Sequence, residues 1–333
     1  MLFNATNSPE LVGKTAYLEV LDEPAVFSNH FVRLRAESSR LDGRFLARWL
    51  RWQWERGIFR TRAKQWVNQA TFSRDALLAL VLPLPPVEEQ RRIAAILDAA
   101  DELRAKRRQS LVLLGSLTES IFFDMFGDPA AGWPIVTVES LAAQDRHAIR
   151  TGPFGSQLLH SEFVNDGIAV LGIDNAVHDH FAWGRPRFIT EEKFEQLRRY
   201  QVRPGDVLVT IMATCGRVAV VPEDIPVAIN TKHLCCITLD RSRCSPWYLW
   251  AAFRFHPGLR RQLGATARGA VMPGLNTGLI KEATLPLPPI EAQERFTEAV
   301  HAAERSSRSL NEHWSTLGAL FTSLQHRAFR GEL

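Results

Sequence analysis

The sequence predicts an α+β protein: two domains of mixed helix and sheet, each followed by a long helix, with the two long helices packed on each other. Three observations lead there. The run Leu82-Pro83-Leu84-Pro85-Pro86-Val87-Glu88-Glu89-Gln90 returns 203 residues later as Leu285-Pro286-Leu287-Pro288-Pro289-Ile290-Glu291-Ala292-Gln293. Short β-rich runs broken by Gly, Pro and Asp precede the second copy: 167–173, 206–211, 217–221 and 234–239. Both copies of the motif open a long segment with heptad spacing.

The echo continues at the same offset on both sides of the motif. Downstream, Arg92 meets Arg295, Leu114-Gly115 meets Leu317-Gly318, and Phe126 meets Phe329; upstream, Gly13 meets Gly216, Ala25 meets Ala228, His30 meets His233, Leu46 meets Leu249 and Arg51 meets Arg254. A period this long is a duplicated domain, not a solenoid. Residue 1 corresponds to about Val207, so the first copy has no counterpart of the opening third of the second. Such a domain should leave strand edges unpaired and core exposed unless something covers them. The expected boundaries are 1–84 for the first mixed part, 85–128 for the first helix, 131–286 for the second mixed part and 288–333 for the second helix.

Proline ahead of the first turn, followed by Glu88, Glu89 and Glu291, suits a helix N-terminus. Steps of three and four then run through Ile93, Ile96, Ala100, Leu103, Arg107, Ser110, Leu114, Leu117 and Ile121. The second series is Phe296, Ala299, Ala303, Ser306, Leu310, His313, Leu317, Leu320 and Leu324. Forty residues at ~1.5 Å each give a rod of roughly 60 Å, longer than an ordinary domain helix. The polar members Arg107, Ser110, Ser306 and His313 are expected to set register.

A chain of 333 residues with 46% apolar and 23% charged residues is globular, and a net charge of +4 with a pI near 9.0 permits an anionic partner without requiring one. Cys215, Cys235, Cys236 and Cys244 form no C-x-x-C pair, which argues against a zinc ribbon or a disulfide framework and for free thiols in a reducing cytoplasm. No secretory signal opens the sequence and no apolar run is long enough for a bilayer, so the expectation is a cytoplasmic protein without a membrane partner.

Catalytic constellations fail in turn. Gly264-Ala-Thr-Ala-Arg-Gly269 lacks the Lys-Ser/Thr of a phosphate loop, no H-E-x-x-H occurs, and the Pro-Pro pairs are not the Asn/Asp-Pro-Pro-aromatic tetrapeptide of amino-methyltransferases. No pair of carboxylates stands out as acid and base. Contact chemistry is present instead. Residues 44–66 carry seven Lys/Arg and a single acid interleaved with Trp49, Trp52, Trp54 and Trp66, and residues 247–268 have the same character. Two readings stand: a phosphate-binding surface, or an amphipathic helix with core tryptophans and solvated arginines. Loops of Asn, Ser, Thr, Gln and Gly, residues able to hydrogen-bond base edges, occur at 4–13 and 150–157.

With these residues in view, the chain resembles the DNA-specificity subunit of type I restriction-modification systems, over essentially its whole length. The duplicated Leu-Pro-Leu-Pro-Pro-x-x-Glu-Gln-x-x-Ile motif, at Leu82–Ile93 and, with Phe for Ile, at Leu285–Phe296, carries the resemblance. The Thr151–Ser156 turn, the Pro204–Leu208 strand entry, the Leu2–Thr15 segment and the terminal Ala328–Leu333 are also similar to family usage.

The resemblance implies two target-recognition domains, the first incomplete, separated by two long antiparallel coiled-coil helices that act as a spacer, each domain reading half of a bipartite double-stranded DNA target. It implies no catalytic residue, cofactor or metal on this chain. Two adenine-N6 methyltransferase subunits and two endonuclease/translocase subunits would dock and use S-adenosylmethionine, ATP and Mg2+. Candidate DNA contacts are Thr151, Gly152, Phe154, Gly155, Ser156, Gln157, Thr210, Arg217, Asn230, Lys232, His233 and Arg268, ranked above Asn4, Thr6, Asn7, Ser8 and Lys14 of the first copy. The short first copy fits a truncated gene, a start site chosen too far downstream, or a split subunit completed by a second chain; on the first account only the half-site read by residues 131–284 keeps full specificity. The alternative functions are a remnant or regulatory fragment that binds the methyltransferase without full target recognition, and the recognition half of a fused restriction-modification enzyme.

Overall fold

A computed structural model describes residues 1–18, 21–128, 132–264 and 275–333. The chain divides into two compact units, residues 1–112 with 308–333, and residues 113–307, so each unit holds part of both long helices.

In unit 1 a sheet of order β3-β1-β4 is formed by β1 (Leu2–Asn4), β3 (Thr15–Ala16) and β4 (Phe31–Arg33), all antiparallel. A small sheet joins β2 (Thr6–Asn7), β5 (Lys64–Gln65) and β6 (Ala70–Thr71), and helices α1 (Gly43–Glu55), α2 (Ile58–Arg62) and α3 (Arg74–Leu78) pack around them. The first long helix, α4 (Val87–Phe126), follows. The core joins Phe3, Phe45, Trp49, Phe59 and Phe72 to Ile93 and Leu97 early in α4 and to Phe321 and Ala328 late in α9 (Ile290–Ala328).

Unit 2 carries the larger fold: β7 (Ile135–Thr137), β8 (Ile149–Thr151), β9 (Ile168–Leu171), β10 (Phe188–Ile189), α5 (Glu191–Leu197), β11 (Gln201–Val202), β12 (Val207–Thr210), β13 (Val218–Val220), β14 (Ala228–Asn230), β15 (Leu234–Ile237), α6 (Pro246–Phe255), α7 (Pro257–Gln262), α8 (Thr277–Glu282) and β16 (Thr284–Pro286). One sheet has the order β13-β12-β15-β8, a second β10-β9-β14-β11, and β16 pairs with β7. The full burial of Val207, Leu208, Val209, Cys235, Cys236 and Ile237 reflects sheets covered on both faces. Phe122 and Phe126 near the end of α4 pack on Phe296 at the start of α9.

The duplication is visible bond by bond. The Asn4 backbone N donates to Lys14 O and Gly13 N to Asn4 O, as Thr210 N donates to Arg217 O and Gly216 N to Thr210 O. Likewise Ala5 N donates to His30 O, and Ile211 N to His233 O. The sheet β3-β1-β4 is therefore β13-β12-β15 again. It stops one strand short: β15 also pairs with β8, whereas β4 among the described residues pairs with β1 alone. Residues 25–27, the counterpart of buried β14, lie exposed.

The structure also explains the duplicated motif. Gln90 is fully buried; its Oε1 accepts the Asp42 backbone N–H (2.8 Å) and its Nε2 donates to Arg40 O (2.9 Å) and Pro85 O (2.8 Å). Gln293 does the same with Ser245 N (2.8 Å), Arg243 O (3.1 Å) and Pro288 O (2.8 Å). Each glutamine ties the start of a long helix to the N-cap of an earlier helix of the same copy, since Asp42 and Ser245 are the N-caps of α1 and α6.

The heptad reading needs a correction. Leu103, Leu117 and Leu320 are 57%, 37% and 52% exposed, and Ser306 and His313 are exposed too. The buried or half-buried stripe of α9 runs Phe296, Val300, Ala303, Leu310, Trp314, Leu317, Phe321, Leu324 and Ala328, sharing every seventh residue with the expected one and lying one position later at the steps between. On α4, Leu97 and Arg104 likewise replace Ile96 and Leu103 as the more buried members, while Ser110 and Leu111 are both half-buried. Arg104 lies over the rings of Trp314 (5.6 Å) and Phe321 (4.4 Å), so an arginine stacked on aromatics is the polar member here.

Candidate nucleic-acid interface

Sheet geometry gathers one edge of unit 2. Strands β8 and β12 both run antiparallel to β15, so both end, at Thr151 and Thr210, where β15 and β13 begin. In the other sheet β9 and β14 are parallel and end together at Leu171 and Asn230. The two sets of ends are joined: Thr231 N donates to Leu171 O (2.8 Å), Gly152 N to Thr231 O (3.3 Å), and the Tyr200 hydroxyl to Gln157 Oε1 (2.8 Å). Loops 152–157, 172–187, 211–217 and 231–233 therefore open on one side.

The candidates fall into two groups there. Phe154, Gly155, Ser156, Gln157 and Arg217 are exposed, and Thr151, Lys232 and His233 are half-buried. Thr210, Asn230 and Gly152 are buried, which corrects the expectation that they meet base edges themselves. Thr210 Oγ1 closes the 211–217 turn by donating to Thr214 O and accepting from Arg217 N (2.9 Å). Asn230 Nδ2 donates to Leu234 O (2.9 Å). A Cβ on Gly152 would lie 2.0 Å from Asn230 O, so only glycine lets the 152–157 loop leave the sheet here. Arg268 lies outside the described residues.

In unit 1 the equivalent edge holds Asn4 at the end of β1, Thr6 and Asn7 in β2, Ser8, and exposed Lys14, whose ammonium lies 5.7 Å from the Trp54 ring. Asn4 is buried, a further correction, and its Oδ1 has no hydrogen-bond partner among the described residues. Thr6 Oγ1 faces Thr71 Oγ1 at 3.2 Å.

The electrostatics of the unit 2 edge are cationic. Partial burial, with Lys232 and Arg187 close by, holds the His233 imidazole below its ordinary pKa. Arg187 is fixed by Asp174 Oδ1 (2.6 Å), Asn175 Oδ1 (3.3 Å) and Val170 O (3.2 Å). Burial alone would raise the Asp174 carboxyl, but the Arg187 guanidinium and the Arg185 backbone N–H hold it below the usual range. Arg217 is 53% exposed and pairs with Asp179 Oδ2 at 2.7 Å.

Two features refine the sequence reading. Within the arginine-rich stretch 44–66, Arg48 bonds Asp98 (2.6 Å) and Asp101 (2.8 Å), Arg51 bonds Asp101 (2.6 Å), and Trp49 is core, so the amphipathic-helix reading holds for α1, while Arg56, Arg60, Arg62, Lys64 and Trp66 lie exposed. The 172–187 loop, which supplies Asp174, Asp179 and Arg187, was not among the candidates; its one sequence signal is the run His178-Asp-His-Phe-Ala-Trp-Gly-Arg185.

A family model for the type I restriction modification DNA specificity domain matches residues 3–112 and 161–313, one stretch in each copy. The chain belongs to this family. Among named relatives, the type I restriction enzyme EcoBI specificity subunit of Escherichia coli is 25% identical over 280 residues, 76% of this chain and 58% of its own length. The MjaX sequence of Methanocaldococcus jannaschii, named for the same kind of subunit, is 22% identical over 319 residues, 91% of this chain and 71% of its own. The fold is shared with a chain from a structure of type I R-M complex assembly and conformational transition (TM-score 0.62, 20% identity, 100% of this chain and 82% of that one). It is shared as well with the S subunit of a type I system from M. genitalium (TM-score 0.58, 15% identity, 98% and 82%). The role that goes with this family is DNA specificity rather than catalysis, and among the described residues no helix is long and apolar enough to cross a membrane.

Proposed function

We propose that this specificity subunit reads a bipartite double-stranded DNA target, one half-site per unit, through the loop edges at the strand ends. The observation that carries the reading is the convergence of four loops of unit 2 on one edge with Lys232, Arg217 and Arg187 among them. Lysine and arginine neutralise phosphates and fix register, while Ser156, Gln157 and Thr151 supply the small polar groups that discriminate bases. The repetition of the Asn4–Lys14 hydrogen bonds at Thr210–Arg217 supports the same use of unit 1. Among its described residues unit 1 has no counterpart of the β8 strand and the 152–157 loop.

The seam helices are proposed to dock two adenine-N6 methyltransferase subunits, joined by two endonuclease/translocase subunits. Exposed Leu103, Val112, Leu113 and Leu320 are the apolar residues such partners would cover. Methyl transfer with S-adenosylmethionine, and cleavage with ATP and Mg2+, then belong to those partners.

Selection of duplexes from a random library by the purified chain tests the reading. It predicts an enriched sequence, with Lys232→Ala weakening all duplexes alike and lowering the salt slope by about one. Enrichment of no sequence by the wild-type protein would overturn it.

A further inference from the structure

The 172–187 loop holds its shape to a degree that its length does not explain. Its neck is closed by Asn175, which is buried: the side-chain Oδ1 accepts Gly172 N (2.8 Å), Nδ2 donates to Ala182 O (2.9 Å), and the backbone O accepts Ala182 N (3.2 Å). Asp174 holds the returning strand through Arg185 N (2.7 Å) and Arg187 Nη2 (2.6 Å). The tip is pinned by Asp179, a non-glycine residue at φ 60°. Its carboxylate accepts from Arg217 Nη1 (2.7 Å) and Val218 N (3.2 Å), and its carbonyl accepts Trp250 Nε1–H (2.9 Å). A left-handed backbone at such a residue persists only where surrounding contacts over-determine it, and such places collect at binding sites.

What this scaffold displays is Trp183. The ring is 59% exposed, packed edge-on against Phe181 at 5.4 Å, and flanked by exposed His178, His180 and Arg185. Gly184, next in the chain, sits so close to Asp174 that a Cβ there would fall 2.1 Å from Oδ2; the backbone beside the tryptophan is set by the neck. Both acids of the loop are occupied by arginines, Asp174 by Arg187 and Asp179 by Arg217, so the exposed side presents an aromatic ring with basic neighbours. The loop that carries this exposed ring opens on the same edge as the DNA-reading candidates.

We propose that the 172–187 loop is a second DNA-reading element of unit 2, in which Trp183 wedges against a base pair while Arg185 meets the adjoining phosphate. Rigid presentation lowers the ordering cost of the contact, and aromatic wedging tolerates sequence while favouring steps that unstack easily. This rests on the reading of unit 2 as a DNA-binding domain.

The test uses the full-length protein and the duplex it selects from a random library, titrated by fluorescence anisotropy at several salt concentrations. Trp183→Ala is expected to bind about 10-fold more weakly at every salt concentration with an unchanged salt slope. Arg185→Ala is expected to lower the slope by about one, and Trp183→Phe to keep most of the affinity. Each variant is expected to melt near the wild-type temperature, because these side chains are largely exposed. Equal affinity and the same selected sequence for Trp183→Ala and wild type would overturn the proposal, including the case in which that variant instead loses a protein partner. A wild-type protein that selects no duplex would overturn the DNA reading itself, which separates the two failures.

Discussion

Gln90 and Gln293 show how much one residue can decide. Each is buried, each satisfies one N–H and two carbonyls, and each sits where a long helix starts. Replacing either by alanine strands those groups, and a buried unsatisfied group costs about 1–3 kcal/mol. Gln293→Ala is therefore expected to destabilise the protein by about 2–4 kcal/mol in urea unfolding, with Gln293→Glu no better, because a carboxylate cannot donate to Arg243 O and Pro288 O. The thiols make a second residue-scale prediction. Burial pushes Cys235 and Cys244 up to about 12 and Cys236 well above its ordinary value, while Cys215 is half-exposed. Iodoacetamide at pH 8 should label Cys215 in the native protein and all four cysteines only after unfolding, as read by mass spectrometry. His233 and His256 are both held below the ordinary histidine value, chiefly by burial. A depressed histidine favours the native state fully above the unfolded pKa of about 6.5, and that contribution is lost as pH falls below it, because the unfolded chain takes up the proton first. Thermal unfolding should therefore show a falling midpoint from pH 7 to pH 5.5, less steep in a His233→Gln/His256→Gln protein.

At the scale of elements, the long helices were legible and their contact face only half so. The motif, the acidic first turns and the length all survive: α4 spans Val87–Phe126 and α9 Ile290–Ala328. The seam moved by one residue at alternate steps because spacing fixes a period and not which flank of a shared residue faces inward. Ile96 and Leu97 are both apolar, and only packing chooses Leu97. On α9 the larger rings Trp314 and Phe321 win over His313 and Leu320, since burying an aromatic yields the greater gain. Phe321→Ala should cost about 3–5 kcal/mol, whereas Leu103→Ala should stay within about 0.5 kcal/mol in chemical denaturation of this chain alone. The 172–187 loop was invisible for another reason. Self-comparison finds only what occurs twice, and the counterpart of this loop would fall ahead of residue 1; its Asp179 and Asn175 matter through backbone contacts that no residue pattern announces.

For the whole molecule, the duplication was the most informative feature of the sequence, and the hydrogen bonds of Asn4–Lys14 and Thr210–Arg217 repeat it in detail. The candidate edge of unit 2 was legible as a set of loops because Gly, Ser, Asn and Lys cluster at strand ends, but three of its members, Gly152, Thr210 and Asn230, shape the edge from inside. Membership of the DNA specificity family rests on matches in both copies. The central claim is that this chain supplies the target sequence through its loop edges. Methylome sequencing of a host that carries an adenine methyltransferase partner, with wild-type chain, with an Arg217→Ala/Lys232→Ala chain and without the chain, tests it most directly. The account predicts a bipartite adenine motif that requires the chain, with the unit 2 half weakened or lost in the double variant. The same motif with and without the chain would contradict it.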